Sequence, residues 1–288
     1  MSNLMRREFS LSIAAAAVGL GLRPAEKLKP STVSGINVGV QSYTFRRFDI
    51  TRMIAALTSV GISSVELWEG HLHPMKAAES DFKTIRRQFD DAGVRVNAYC
   101  VNFPVNATDE HLDRGFVGAL LLGTNLMTAS VKKPIVPRLD LWCQKYKIKL
   151  GLHNHWLGDG LYRLAVKDRA QEFEGPQDFL DALKGASRYL SINLDIGHFS
   201  AAGHDPLEFI REHHKRIISL HIKDRDSDEK RAHRRLGKGA TPVRETIRLL
   251  KRLRFRYPAN IEYEAEAEDP TEGVRESFDF IKRSVSNG

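Results

Sequence analysis

The feature that most constrains the fold is a regular alternation of short β-rich runs with amphipathic helical runs from Ile36 onward. This alternation is typical of βα units arranged around a parallel sheet. It predicts eight strands, at 38–41, 64–67, 96–101, 125–130, 149–155, 190–198, 217–224 and 259–264. Because these units follow one another without a long linker, we predict a single closed (β/α)8 barrel of the α/β class rather than a doubly wound sheet.

Helices are predicted between and after these strands, at 50–60, 81–92, 110–122, 136–146, 177–187, 206–216, 242–254 and 271–284. Asp49, Ser80 and Asp109 are predicted N-caps because their side-chain oxygens can accept hydrogen bonds from the first turn of a helix. In such a barrel the catalytic groups lie at the C-terminal ends of the strands. A functional site is therefore expected at those ends.

The composition excludes several classes of protein. The chain has 288 residues, 42% of them hydrophobic and 28% charged, as in a globular protein with a substantial core. The formal net charge is +8, but the basic residues lie mainly in helical stretches such as 244–252, where solvated helix faces account for them. Cys100 and Cys143 have no zinc or disulfide-scaffold spacing, and Cys100 is expected in the core. We predict no nucleic-acid partner.

The first thirty residues have a different character. Arg6 and Arg7 precede a weakly hydrophobic run, 13–22, which ends at Arg23 and Pro24. Paired arginines before such a run are typical of a twin-arginine export signal, although an ordinary amphipathic helix would also fit. The run is too short to span a bilayer, so no stable membrane span is expected. We predict an export segment at 1–30, a barrel at 36–288 and a periplasmic location.

Four consecutive strands, the fifth to the eighth, aim ionisable side chains into the predicted barrel mouth, because alternate residues of a strand face the same side. A single inward His or Glu is more often a core residue with satisfied hydrogen bonds, but four together would be costly without a shared cation. His153, Asp195, His221 and Glu262 are therefore predicted to bind one divalent metal ion. Mixed imidazole and carboxylate ligands suit Mn²⁺, Zn²⁺, Co²⁺ or Fe²⁺ better than Ca²⁺, and Mg²⁺ is also allowed.

Further candidates surround these ligands. Lys223 shares a face with His221 and is predicted to bind a substrate oxygen, or else to form a salt bridge with Glu264 or Asp195. The candidate proton carriers are Glu262, Glu264, Lys223 and His155. The candidate substrate contacts are His198, Glu66, Trp68, His71 and His233. Trp68 could form an apolar wall for a sugar ring, although a packed core tryptophan would look the same.

From about Val38 to Ser284, the chain resembles the sugar phosphate isomerase/epimerase superfamily, the xylose isomerase-like TIM barrels that include inosose dehydratases and endonuclease IV. The resemblance rests on the order and spacing of LSINLDIGH at 190–198, LHIKD at 220–224, LGKG at 236–239 and IEYE at 261–264. It implies metal ligation by Asp195, His221 and Glu262. Many members have Glu as the fourth ligand, where it is also an acid/base group; this chain has His153, as some members do.

The resemblance implies a sugar isomerase or epimerase that stabilises an enediolate with its metal while a base removes the adjacent proton. Loss of a leaving group from the same type of intermediate would give a keto-sugar or 3-keto-glycoside lyase, or a hydratase, and this is the alternative. A third hypothesis is an exported sugar-binding barrel without turnover. The expected partner is a sugar or keto-glycoside, and export makes phosphorylated sugars poor candidates. The sequence does not specify the oligomeric state.

The nuclease branch fits less well. Endonuclease IV is similar at His233, but the Asp that its pattern has two residues earlier is Arg231 here. The histidines of its earlier strands are also missing from 96–101. A three-zinc site would be incomplete, so His233 is predicted to contact substrate or to lie in a solvated loop.

Overall fold

Eight parallel strands form the centre of the computed structural model, which describes residues 28–158, 169–228, 230–265 and 268–286. In chain order, the strands β1 to β8 are Ile36–Gln41, Ser64–Trp68, Arg95–Cys100, Leu126–Ala129, Lys149–His153, Leu190–Asp195, Ile217–Ile222 and Ala259–Ile261. Each strand pairs with the next, and β1 pairs with both β2 and β8. The sheet therefore closes on itself, which confirms the prediction of a single (β/α)8 barrel.

Nine α-helices in the described residues surround this barrel. In chain order, α1 to α9 are Ile50–Val60, Glu79–Asp91, Asp109–Leu121, Val136–Tyr146, Pro176–Leu183, Ile196–Ala201, Pro206–His213, Val243–Leu253 and Thr271–Ser286. Short 3-10 turns, Ser42–Phe45 and Lys133–Ile135, follow β1 and precede α4. Two small antiparallel pairings add to the barrel: Thr32–Val33 pairs with β1, and Asp224–Arg225 pairs with His233–Arg234 beyond β7.

The outward faces of the strands explain why the helices pack on them. On β6, for example, Leu190, Ile192 and Leu194 alternate with Ser191 and Asn193, and all three apolar side chains are buried. Burying a side chain of this kind contributes roughly 1.5–3 kcal/mol. The strands are predicted from a period of two residues. The same period places apolar side chains toward the helices and polar side chains on the opposite face.

Two of the three predicted N-caps are wrong. Asp49 caps α1, with its Oδ1 accepting a hydrogen bond from the backbone N–H of Arg52 at 2.7 Å. The cap of α3 is Thr108, which precedes the predicted Asp109, and α2 is preceded by Ala78 rather than capped by Ser80. At α2 the Asp81 carboxylate accepts from the Ala78 N–H at 2.8 Å, so the helix begins earlier than the first strong capping residue suggests.

The predicted strand at 190–198 is too long. It ends at Asp195, and α6 begins at Ile196. The Asp195 Oδ1 atom accepts a hydrogen bond from the His198 backbone N–H at 2.8 Å, which starts a helix directly at the strand end. The predicted strands at 149–155, 217–224 and 259–264 also end early, so His155, Lys223 and Glu264 lie just beyond their strands.

The interior of the barrel contains a buried polar network. The Asn97 Nδ2 atom donates to the Asn260 Oδ1 at 2.8 Å, and the Asn260 Nδ2 donates to the Glu66 Oε2 at 2.7 Å. These residues come from β3, β8 and β2, so the bonds cross the barrel. Gly39 on β1 leaves the space for them, because a Cβ at that position would lie 2.3 Å from the Asn260 Oδ1.

We expect Gly39→Ala to destabilise the protein by about 3 kcal/mol, because the added methyl must displace the Asn97 and Asn260 amides. Gly185→Ala is the matched control: no atom lies within 4 Å of its added Cβ, but its φ is +75°. That left-handed backbone should cost only about 1 kcal/mol. Urea unfolding monitored by circular dichroism measures both losses, and equal losses would contradict the close approach of Gly39 to Asn260.

Among the described residues, no helix is both long enough and apolar enough to cross a membrane. The predicted export segment at 1–30 falls almost entirely outside the described residues, which begin at 28. Export therefore stays a prediction from the sequence.

Candidate active site

A cavity of about 170 Å³ opens at the C-terminal ends of the strands. Its lining has two unlike halves. Residues at the ends of β1 to β4 contribute aromatic, thiol, amide and hydroxyl groups: Gln41, Tyr43, Trp68, Cys100, Asn102 and Ser130. Residues at the ends of β5 to β8 contribute ionisable groups: His153, His155, His198, His221, Lys223, Glu262 and Glu264. One side of the mouth is thus suited to charge and the other to contacts with an uncharged molecule.

The four predicted ligands come together in the charged half. One ligand atom each from His153, Asp195, His221 and Glu262 lies within 4.8 Å of the others, and all four side chains are buried. They lie near, at or directly beyond the ends of four neighbouring strands, β5 to β8, which explains how residues up to 109 positions apart converge. The alternation of side chains on each strand turns them toward the same point.

Hydrogen bonds to neighbouring side chains orient both histidines. The His153 Nδ1 lies 2.7 Å from the Asn193 Oδ1, and the His221 Nε2 lies 3.0 Å from the Glu66 Oε1. Because the amide oxygen and the carboxylate can only accept, each of these ring nitrogens carries the proton, and the other nitrogen is directed away from that partner. Burial, followed by the charge of His221, lowers the pKa of His153 to about 4, so His153 is neutral at neutral pH.

The carboxylates of the cluster have opposite pKa shifts. Burial raises the pKa of Asp195 to about 6, although the Lys223 ammonium opposes the shift. Burial also acts on Glu262, but the charges of Lys223 and His221 outweigh it and hold its pKa well below the ordinary range. At His221, burial is outweighed by the flanking carboxylates of Glu66 and Glu262, which raise its pKa well above the ordinary value. Each shift depends on the neighbouring charges, so the cluster forms one electrostatic unit.

Lys223 joins this unit through several carboxylates. Its Nζ lies 2.6 Å from the Glu264 Oε1, 3.0 Å from the Glu262 Oε2 and 3.1 Å from the Asp195 Oδ2. The carboxylates outweigh the effect of burial and raise the pKa of Lys223, so it is an ammonium group. Both salt bridges proposed as alternatives from the sequence are present, and Lys223 still lines the cavity.

The chemistry of the cluster fits a divalent cation. Among the described residues, the buried side-chain atoms without a hydrogen-bond partner include the Asp195 Oδ2, the His221 Nδ1 and the Glu262 Oε2. Leaving such atoms buried is costly unless a cation or ion pairs compensate them. The Lys223 ammonium pairs with both carboxylates, and the His221 Nδ1 lies 3.1 Å from the Glu262 Oε2, so these atoms converge on one another as the ligands of one cation would. Two imidazoles and two carboxylates with ligand atoms within 4.8 Å of one another are a donor set that suits Zn²⁺, Mn²⁺, Co²⁺ or Fe²⁺.

A second group of three histidines, His153, His155 and His198, also brings ligand atoms within 4.8 Å of one another. The Lys223 Nζ lies 3.0 Å from the His198 Nε2, and an ammonium at that distance would repel a cation bound there. Burial lowers the pKa of both His155 and His198 well below the ordinary value, so both imidazoles are neutral. They are suited to hydrogen bonding with substrate, and His155 also lies 3.3 Å from the Ser130 Oγ.

Three residues predicted to contact substrate do not line the cavity. Glu66 is fully buried below it, where it accepts hydrogen bonds from several strands. His71 is turned toward the backbone, with its Nε2 3.1 Å from the Ser42 carbonyl oxygen. His233 lies in the small pairing beyond β7, with its Nε2 3.1 Å from a guanidinium nitrogen of Arg225. The Glu66 side chain points into the barrel, but it lies at a level below the mouth. The prediction of substrate contact is therefore wrong for Glu66.

Trp68 and His198 do line the cavity, and so do residues that sequence reasoning missed. The rings of Trp68 and Tyr43 meet edge to face, with centroids 4.9 Å apart, and form an aromatic wall. Cys100 was expected in the core, but it is partly exposed and lines the cavity. Tyr43, Asn102 and Ser130 all lie just beyond β1, β3 and β4. Extending the search past every predicted strand end, rather than only the charged ones, would have found them.

The barrel and its strand-end cluster define the chain as an α/β barrel with a candidate metal site at the mouth. A sequence profile of the xylose isomerase-like TIM barrel family matches residues 138–284, just over half of the 288-residue chain. The protein belongs to this family. No functionally curated protein has significant sequence similarity to the chain.

Solved structures of low sequence identity share the fold. A sugar phosphate isomerase/epimerase from Parabacteroides distasonis is 18% identical, with a TM-score of 0.64 over 85% of this chain and 95% of that chain. The probable 3-DHS dehydratase AsbF from Bacillus anthracis is 14% identical, with a TM-score of 0.67 over 85% and 98%. The IOLI protein with a binding zinc atom is 16% identical, with a TM-score of 0.65 over 86% and 98%. These similarities establish the fold.

Proposed function

We propose that the protein is a divalent-metal-dependent enzyme that moves a proton next to a carbonyl group of a sugar, as an isomerase or epimerase. The observation that carries the proposal is the convergence of His153, Asp195, His221 and Glu262 in a cavity that also holds unused proton carriers. The printed names of the sugar isomerase/epimerase and of the zinc-containing relative support it by analogy. The metal would be held by these four side chains and would act as a Lewis acid toward a substrate carbonyl.

Three groups beside the ligands are suited to move the proton. Glu264 is a carboxylate at the cavity wall, held 2.6 Å from the Lys223 ammonium, and can act as the base. His155, a neutral imidazole three strands away around the barrel, can receive or return a proton at a different face of the substrate. Lys223 donates hydrogen bonds and can stabilise the negative charge that develops on a substrate oxygen.

The other half of the cavity suits the body of an uncharged sugar. Trp68 and Tyr43 offer an aromatic wall for the C–H face of a ring, while Asn102 and Ser130 offer an amide and a hydroxyl for sugar hydroxyl groups. Among the described lining residues, the only Lys or Arg is Lys223, which is already paired with three carboxylates. An unphosphorylated sugar is therefore the proposed substrate, in keeping with the export predicted from residues 1–30.

A lyase or hydratase that acts on keto-sugars or 3-keto-glycosides is the second candidate. It is favoured by His153, because the site lacks the Glu that serves many relatives as a second acid/base group. When Glu264 removes the proton it becomes a carboxylic acid, and this acid can pass the same proton to a departing oxygen, so that proton removal leads to elimination. The similarity in fold to a probable dehydratase is consistent with this alternative.

Incubation of the metal-loaded protein with keto-sugars and keto-glycosides in D₂O separates these hypotheses. We expect deuterium at the carbon next to the carbonyl, detected by NMR, in samples with metal and not in samples treated with a chelator. Incorporation without a leaving group favours isomerisation or epimerisation, and release of an alcohol or water favours the lyase or hydratase. Binding of sugars without exchange or product would contradict both and support a sugar-binding barrel.

A further inference from the structure

The Glu66 carboxylate lies on β2 directly below the proposed metal ligands, and its side chain is completely inaccessible to solvent. A buried carboxylate is strongly destabilising unless charged or polar partners compensate it. The groups that surround the Glu66 carboxylate therefore indicate the role of its negative charge.

Five side chains from four other strands surround this carboxylate. Its Oε1 contacts the His221 Nε2 at 3.0 Å, the Gln41 Nε2 at 2.7 Å and the Thr128 Oγ1 at 2.5 Å. Its Oε2 contacts the Asn260 Nδ2 at 2.7 Å and the Ser219 Oγ at 3.3 Å. Of these five partners, only His221 is a proposed metal ligand, and it is also the only one that can carry a charge.

We infer that Glu66 is a positioning residue, which holds His221 with its Nδ1 directed at the metal and makes this imidazole a stronger electron donor. The inference rests on the proposed metal site. A carboxylate that accepts the proton of a ligand imidazole fixes both the tautomer and the ring orientation and increases the basicity of the ligand nitrogen.

The comparison with His153 within the same cluster sharpens the inference. The His153 Nδ1 bonds to the neutral amide oxygen of Asn193 at 2.7 Å, whereas the His221 Nε2 bonds to an anion. Both imidazoles are therefore oriented by a hydrogen bond to an acceptor, but only the acceptor of His221 carries a negative charge. His221 is predicted to be the stronger of the two nitrogen ligands, because of the charge of Glu66.

Glu66→Gln tests this by removing the charge while keeping the size of the side chain. The matched control is Thr128→Val, which removes a different hydrogen bond of Glu66 but leaves its charge and its contact with His221. Competition between a chelating dye and the protein for Zn²⁺ at pH 7.5 measures affinity, and the visible absorption of bound Co²⁺ reports ligand geometry. Glu66→Gln should bind Zn²⁺ roughly 10–100-fold more weakly than the wild type, with an altered Co²⁺ spectrum.

Thr128→Val should bind Zn²⁺ within about twofold of the wild type, since it changes no group that contacts a ligand. Circular dichroism establishes that each variant is folded. If Glu66→Gln does not fold, Glu66→Asp provides the test: it keeps a carboxylate but withdraws it from His221, so its Zn²⁺ affinity should also fall, though by less than 100-fold.

Wild-type affinity in the folded Glu66 variant would overturn the inference and leave the metal site in place. An equal loss of affinity in Thr128→Val would also overturn it, because general loosening of the barrel interior would then explain both. If the wild type itself bound no Zn²⁺ or Co²⁺, the metal site of the proposed function would fail, and the role of Glu66 with it.

Discussion

Asp195→Ala should abolish tight metal binding and lower kcat/KM by more than about 100-fold, the upper range for changes to side chains that only support metal ligands. The physical reason is that Asp195 supplies one of two carboxylates to the cluster and is held in place on both sides. The Asn154 amide side chain pairs with the Asp195 backbone, and the His198 backbone N–H donates to the Asp195 Oδ1. Neither neighbour can replace the lost oxygen.

The matched control is Asp205→Ala. Asp205 is also an Asp that caps a helix, since its Oδ1 accepts from the Leu207 N–H at 2.7 Å, but it lies at the exposed start of α7 and does not line the cavity. The Asp205→Ala variant should lose about 1 kcal/mol of folding stability and keep the metal affinity of the wild type. Calorimetric titration with Zn²⁺ measures the binding. Retention of wild-type affinity by Asp195→Ala would remove Asp195 from the ligand set.

Glu264→Gln should separate catalysis from metal binding. Glu264 lines the cavity but does not belong to the group of four ligand atoms, so the variant should bind Zn²⁺ within a few-fold of the wild type. Proton transfer by a positioned side chain typically contributes 10²–10⁴-fold, and kcat should fall by about that factor, because an amide cannot remove a proton. The rate of deuterium incorporation from D₂O measures the loss at the proton-transfer step.

Glu272→Gln, an exposed change on α9 at a residue that does not line the cavity, provides the control and should leave both quantities unchanged. A normal exchange rate in Glu264→Gln would move the role of base to His155 or Glu262. Loss of metal affinity in the same variant would instead indicate that Glu264 supports the metal site through Lys223.

The sequence was sufficient to predict the barrel because the signal was repeated. A period of two residues marks each strand, helices follow at regular intervals, and eight such units leave few alternative architectures. The same period places His153, Asp195, His221 and Glu262 near, at or directly beyond the ends of β5 to β8. Their convergence follows directly from the closure of the barrel, so their proximity could be predicted without knowing any long-range contact.

What could not be predicted depends on distances that the pattern does not contain. The alternation of side chains along a strand gives the direction of a side chain but not its depth, so it predicts a substrate contact for Glu66, which lies below the mouth. The early end of β6 depends on one hydrogen bond from the His198 N–H to Asp195, which competes locally with strand continuation. The orientations of His71 and His233 depend on partners, Ser42 and Arg225, that no sequence period connects to them.

Anomalous scattering from crystals soaked with Mn²⁺, Co²⁺ or Zn²⁺ tests the central claim most directly, because it locates the metal relative to each side chain. We predict one strong peak about 2.0–2.2 Å from a nitrogen or oxygen atom of each of His153, Asp195, His221 and Glu262. A map without density among these four side chains, or with its only peak at His153, His155 and His198, would contradict the assignment of the metal site.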